Sequence, residues 1–139
     1  MAIRGEPATG RSMALLPPVV LVVEDDDQVR GYAVEVLREA GFAVLSAADA
    51  EEALRLIEND GAIEVLFTDI VMPGGIDGFE LARRARATHP RLAIVYATGF
   101  AEAIDGLPPA RAVDRLLRKP YSPEQLESEV GRAIGQKQS

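Results

Sequence analysis

The chain of 139 residues has room for one domain, and its apolar content of 47% is ordinary for a globular fold. With no cysteine, it can build neither a disulfide framework nor a zinc thiolate site. A net charge of -7, from 22 acidic and 15 basic residues, leaves no basic stripe for nucleic acid, and no apolar run approaches the roughly 20 residues that span a bilayer.

Residues 1–18 carry Gly5, Pro7, Gly10, Pro17 and Pro18 without sustained periodicity and read as a disordered lead-in, and the domain proper is expected over 19–136. Val19 to Val23 is an unbroken β-branched and leucine run, the pattern of a strand buried on both faces. Asp26 to Ala40 follows as an amphipathic helix, with Val29, Ala33, Val36, Leu37 and Ala40 at helical spacing, an aspartate cap at its start and Gly41 just past its end. The unit then repeats. Phe42 to Ala47 is a strand, Ala50 to Asn59 a helix, and Ile63 to Thr68 a strand that ends at Asp69. A loop from Ile70 to Ile76 leads to a helix over Gly78 to Ala87, closed by His89 and Pro90. Leu92 to Ala97 and Asp114 to Arg118 are the last two strands, and Ser122 caps a final helix with Pro123 in its first turn.

Strands alternating with helices over short loops predict an α/β fold with a parallel sheet covered on both faces. In such folds ligands bind beyond the carboxyl ends of the strands, at the topological switch point. Five polar groups stand at those ends: Glu24 and Asp25 after the first strand, Asp69 at the third, Thr98 at the fourth and Lys119 at the fifth. Any one of them alone reads as a solvated loop residue or helix cap; together they read as a site. Clustered carboxylates repel, so Glu24, Asp25 and Asp69 favour a divalent cation or raised pKa values, and an all-oxygen donor set without His or Cys selects Mg2+ or Mn2+. Asp69 is then placed to attack an activated phosphorus, with Lys119 and Thr98 against the charge on the equatorial oxygens.

The motifs VVEDD, FTDIVMPGG with IDG, YATG and RKPY resemble those of the receiver domains of two-component response regulators, over about Val19 to Ile134. The resemblance implies a flavodoxin-like (CheY-like) doubly wound sheet of five parallel strands in the order 2-1-3-4-5. It implies that Asp69 accepts a phosphoryl group from a histidine kinase or phosphotransfer protein and that the domain then signals to a downstream protein. It further implies that Asp25, Asp69 and the Val71 backbone carbonyl ligate Mg2+, that Glu24 acts through a water, and that Thr98 and Lys119 contact the phosphoryl group. Pro120 would follow in a cis peptide. The implied molecule is a cytoplasmic signalling module, monomeric or weakly dimeric, catalysing nothing beyond its own phosphorylation and dephosphorylation and binding neither nucleic acid nor membrane.

Three departures shape expectations. The loop over Gly74 to Gly78 is one residue longer than the usual pattern, which glycine tolerates. Leu116 occupies the place of the family's switch aromatic, so Tyr96, Phe100 or Tyr121 is left to supply a ring. The region of the fourth helix, residues 100–112, contains Gly106, Pro108 and Pro109, which predicts a short or disordered helix there. Val71 and Phe100 offer no polar side chain to orient a hydrolytic water, so slow autodephosphorylation is expected. His89 reads as a helix-end residue, and Arg83, Arg84 and Arg86 as a solvated helix face.

Two other functions fit the same architecture less well. A Mg2+-dependent aspartyl phosphatase commonly has a second Asp where this chain has Val71, and a nucleotide- or flavin-binding domain needs a Gly-rich first turn where this chain has four acidic residues, Glu24 to Asp27. Whether the receiver stands alone or comes from a hybrid histidine kinase is left open by the sequence.

Overall fold

A computed structural model describes residues 16–99 and 114–138. The chain runs β1 (Val19–Val23), α1 (Asp27–Glu39), β2 (Ala43–Ala47), α2 (Ala50–Asn59), β3 (Ile63–Asp69), α3 (Gly78–Thr88), β4 (Ala93–Thr98), β5 (Arg115–Arg118) and α4 (Pro123–Gln138). All strand pairs are parallel, in the order β2-β1-β3-β4-β5, as expected. Residues 100–113 lie outside the described residues, and with them the expectation for the fourth helix.

Two apolar layers follow from strand alternation, because successive side chains point to opposite faces. On one face Val20, Val22, Val65, Phe67, Val95 and Leu117 pack under α1 and α4, through Ala33, Leu37, Leu126 and Val130. On the other, Leu21, Val23, Leu66, Ile94 and Tyr96 pack under α2 and α3, through Ala53, Ile57, Leu81 and Ala85. Burial on both faces explains the apolar runs Val19 to Val23 in β1, Val65 to Phe67 in β3 and Ala93 to Ala97 in β4.

Local signals start and stop the helices. The Asp26 carboxylate accepts the Gln28 and Val29 N–H groups at 2.9 and 3.0 Å, and Gly41 takes φ 103° just past the end of α1. Ser122 and Gln125 form a reciprocal capping box on α4: Gln125 N–H donates to Ser122 Oγ at 3.1 Å, and Ser122 N–H to Gln125 Oε1 at 2.8 Å.

Two expectations need correction. Arg86 is not on the solvated face: it turns inward and donates to Asp114 and to the Leu92 carbonyl, with only 14% of its side chain exposed. A charge whose helical position points toward the sheet edge is stable only when paired, and Asp114 supplies the partner. Asp114 itself precedes β5, which begins at Arg115. Arg83 and Arg84 do lie on the exposed face, both bound to Glu80.

Candidate acidic site at the strand ends

The strand order reverses between β1 and β3, and the acidic residues flank that point at the carboxyl edge of the sheet. Glu24 continues the line of β1, its N–H donating to the Ala47 carbonyl at 3.1 Å. Asp69 closes β3 in register with Ala97 of β4, and the next residue, Ile70, donates to the Ala97 carbonyl at 3.0 Å. These are sheet positions, so the carboxylates inherit the rigidity of the strands.

Glu24, Asp25 and Asp69 each bring a carboxylate oxygen within 4.8 Å of the others. Glu24 and Asp69 are buried, at 6% and 9% exposure, while Asp25 faces solvent. Lys119 reaches over them from the end of β5, donating from Nζ to Glu24 Oε1 at 2.6 Å and to Asp69 Oδ2 at 3.2 Å. Its backbone N–H is held by the Thr98 carbonyl at 2.9 Å, and Thr98 is itself buried. The Lys119–Pro120 peptide is cis.

Burial pushes the Asp69 carboxyl above the usual range, against the pull of Lys119, and Asp25 adds to the rise. Glu24 is raised for the same first reason. Burial acts to lower Lys119, but Glu24 and Asp69 outweigh it and the net shift is upward. Three carboxylates face one ammonium, so the cluster keeps a negative surplus.

The donor set suits a small hard cation. At bonds of about 2.1 Å, opposite oxygens around Mg2+ lie about 4.2 Å apart, so a cluster spanning 4.8 Å needs little contraction. No histidine or cysteine enters the group to favour a softer metal.

Glu24, Asp25, Asp69 and Lys119 thus converge, with Thr98 tied to Lys119 through its backbone carbonyl, and contacts that pattern reading missed surround them. The Arg30 guanidinium donates to the Glu24 carbonyl at 2.8 Å and to Asp27 at 2.5 Å, anchoring the acidic turn from within α1. Thr68 Oγ1 donates to the Asp69 carbonyl at 2.9 Å. Tyr121, one of the rings the sequence offered in place of Leu116, sits between Tyr32 of α1 and Phe67 of β3, with ring centroids 6.0 and 5.9 Å away. A charged helix residue six positions after Glu24 was the one available signal for Arg30; the ring stack had none.

The other candidates fall as follows. Tyr96 packs its ring edge-to-face on Phe79, 4.9 Å between centroids, and Leu116 lies beside it in register on β5 as part of the same apolar layer. Val71 is 46% exposed, two residues past the end of β3. Phe100 lies outside the described residues. His89 caps the far end of α3, its ring meeting Thr88 Oγ1 and the Asp60 carbonyl, away from the acidic cluster. Among the described residues no helix is long and apolar enough to cross a membrane.

Comparison with known proteins agrees with this geometry. The profile of the response regulator receiver domain matches residues 20–131. The sensor kinase CckA of Brucella abortus (strain 2308) is 40% identical over 113 residues, which are 80% of this chain and 12% of that kinase. The response regulator receiver protein CpdR of the same strain is 34% identical over 116 residues, 83% of this chain and 95% of that protein. The crystal structure of the receiver domain from the hybrid histidine kinase CckA superposes with a TM-score of 0.71 at 35% identity, covering 84% of this chain and 98% of that one. A response regulator receiver protein from Sinorhizobium medicae WSM419 gives 0.76 at 27% identity, covering 87% and 97%. With the profile spanning most of the chain and the acidic cluster at the switch point, the chain belongs to the receiver domain family of two-component response regulators.

Proposed function

We propose that Asp69 is the phosphoacceptor of this receiver domain, and that Asp25, Asp69 and the Val71 backbone carbonyl hold Mg2+, with Glu24 acting through a water. The observation that carries the reading is the meeting of Glu24, Asp25, Asp69 and Lys119 at one strand edge. When bound, Mg2+ supplies positive charge against the phosphoryl oxygens and offsets repulsion among the carboxylates.

The chain's own residues do the rest. An Asp69 carboxylate oxygen attacks phosphorus, forming a P–O bond as the P–N bond to a donor imidazole breaks; the leaving imidazole takes up a proton. Asp69 rises from a strand end, so the attack starts from a fixed direction. Lys119 exchanges its hold on Glu24 and Asp69 for a phosphoryl oxygen, and the Thr98 hydroxyl donates to another.

The donor is a histidine kinase or phosphotransfer protein, and we place its docking face beside Lys119. There a mostly apolar groove of about 480 Å³ is lined by Gln28, Val29, Tyr32, Lys119, Pro120 and Tyr121. Its apolar floor suits a helix carrying the donor histidine, and Lys119 is common to groove and site. The output is a change of conformation read by a downstream protein.

The test is phosphorylation by a small phosphoryl donor with Mg2+, followed by intact mass, on wild type and Asp69→Asn. Wild type is expected to gain one phosphoryl group and the variant none. Labelling of Asp69→Asn to the wild-type level removes Asp69 as acceptor.

A further inference from the structure

Gly78 opens α3, a position where glycine is a poor choice for helix formation. Its backbone explains it. A Cβ there would lie 2.4 Å from the Asp69 carbonyl oxygen, 2.9 Å from Ile70 Cα and 3.1 Å from the Asp69 carbonyl carbon. Among the described glycines, Gly78 alone would bring a Cβ inside 3.0 Å of another atom; Gly31, Gly61, Gly131 and Gly135 meet nothing within 4 Å. The approach is made by backbone on both sides, so no flexible side chain can give way.

The contact closes a loop. Gly78 N–H donates to the Ile70 carbonyl at 2.8 Å, pinning the two ends of the segment 70–78 together. That segment leaves Asp69 and includes Val71. Asp69 itself is fixed in the sheet by its pairing with Ala97, and Ile70 by its bond to the Ala97 carbonyl. The stiff partner is therefore the sheet, and the part that yields to any added bulk is the first turn of α3 with the loop it closes.

We infer that Gly78 is a positioning residue for the acidic site: its missing side chain lets α3 rest on the Asp69–Ile70 peptide and holds the loop after Asp69 in place for metal binding. This rests on the reading of the site given above. In Gly78→Ala the contact must open from 2.4 Å to at least 3.0 Å, and the Gly78–Ile70 hydrogen bond opens with it. Displacements of this order at a binding or reacting group cost about ten- to a hundredfold.

The experiment compares Mg2+ affinity by calorimetry in wild type, Gly78→Ala and Gly41→Ala, with amide exchange read by NMR in metal-free protein. Gly41, at φ 103° with no atom near a built Cβ, controls for destabilisation remote from the site. Gly78→Ala is expected to bind Mg2+ at least tenfold more weakly and to exchange the residue 78 amide at least tenfold faster relative to Ala85. Gly41→Ala is expected to melt earlier with Mg2+ affinity within twofold of wild type. A folded Gly78→Ala with wild-type Mg2+ affinity overturns the inference and leaves the site assignment standing. Wild type that takes up no Mg2+ sinks the site assignment first, and the inference with it. If Gly78→Ala does not fold, wild type alone decides. Saturating Mg2+ must slow Gly78 amide exchange at least fivefold relative to Ala85, by reciprocal linkage, and equal exchange overturns the inference.

Discussion

Lys119 holds Glu24 at 2.6 Å and Asp69 at 3.2 Å, so the ammonium proposed to meet a phosphoryl oxygen also occupies the carboxylates proposed to hold metal. Two readouts should therefore move in opposite directions in Lys119→Met. Mg2+ affinity should rise, on the order of tenfold, because a cation repelling the metal at close range is gone. Phosphorylation by a small donor should slow by about a hundredfold, since one charge-stabilising contact in the transition state is removed. Calorimetry and timed mass spectra check the pair; a fall in both would show that Lys119 supports the site only by structure. Tyr96 gives a second test at this scale. Burial first, and Asp114 nearby, push its hydroxyl up to about 12, with Arg86 opposing. An unfolded tyrosine titrates near 10, so between about pH 10 and 12 the unfolded chain has lost a proton that the folded one keeps. Stability present below pH 10 is thus lost as pH rises through that window, by about 2–3 kcal/mol from this residue. Tyr96→Phe should flatten that part of the curve of Tm against pH, leaving the part due to Tyr121, which burial also raises. An unchanged slope would mean that Tyr96 ionises in the folded protein as freely as in water.

At the scale of elements, α3 is tied to the sheet at both ends by different chemistry. Its first turn lies on the Asp69–Ile70 backbone, and its last turn sends Arg86 to Asp114, just before β5. The Asp114 side chain is 5% exposed, so removing it leaves the Arg86 guanidinium, among the described residues, with the Leu92 carbonyl. Asp114→Ala should cost about 3 kcal/mol, read as a lower denaturation midpoint at constant m-value. A loss under about 1 kcal/mol would show that water replaces the carboxylate and that the pair is not a structural clip. Periodicity made α3 itself legible, since Leu81, Ala82 and Ala85 recur at helical spacing. It could not reveal Arg86, because Asp114 is 28 residues away and the pairing depends on where two elements meet. Gly78 was hidden for the same reason. As the residue after a capping aspartate it reads as the start of a helix, and only the packed distance to Asp69 shows why it lacks a side chain.

For the whole molecule, what was legible follows from what the sheet requires. Strands buried on both faces must be largely apolar, so β1, the Val65 to Phe67 stretch of β3 and most of β4 announce themselves, and short connections force the alternation that makes the sheet parallel. Once strand ends are known, residues distant in the chain fall on one edge, which is how the sequence alone places Glu24 and Lys119, 95 positions apart, at the same edge, although their ion pair shows only in the structure. The ring stack of Tyr32, Tyr121 and Phe67 was not legible, because aromatic contact across α1, β3 and the turn after β5 leaves no periodic trace. The site's construction also predicts how the molecule responds to metal. Its side chains stand at or just past the ends of β1, β3 and β5, so no one element can form it alone, and a cation bound there binds the native sheet and not the unfolded chain. Mg2+ at about a hundred times its Kd should then add about 2.7 kcal/mol to stability and raise Tm by several degrees. In Asp25→Asn the carboxylate most open to solvent is gone while the buried pair with Lys119 is intact, so the metal-free Tm should hold near wild type and the Mg2+ response should largely vanish. A full Mg2+ response in Asp25→Asn, followed by thermal melts across a metal titration, would place the cation outside this cluster.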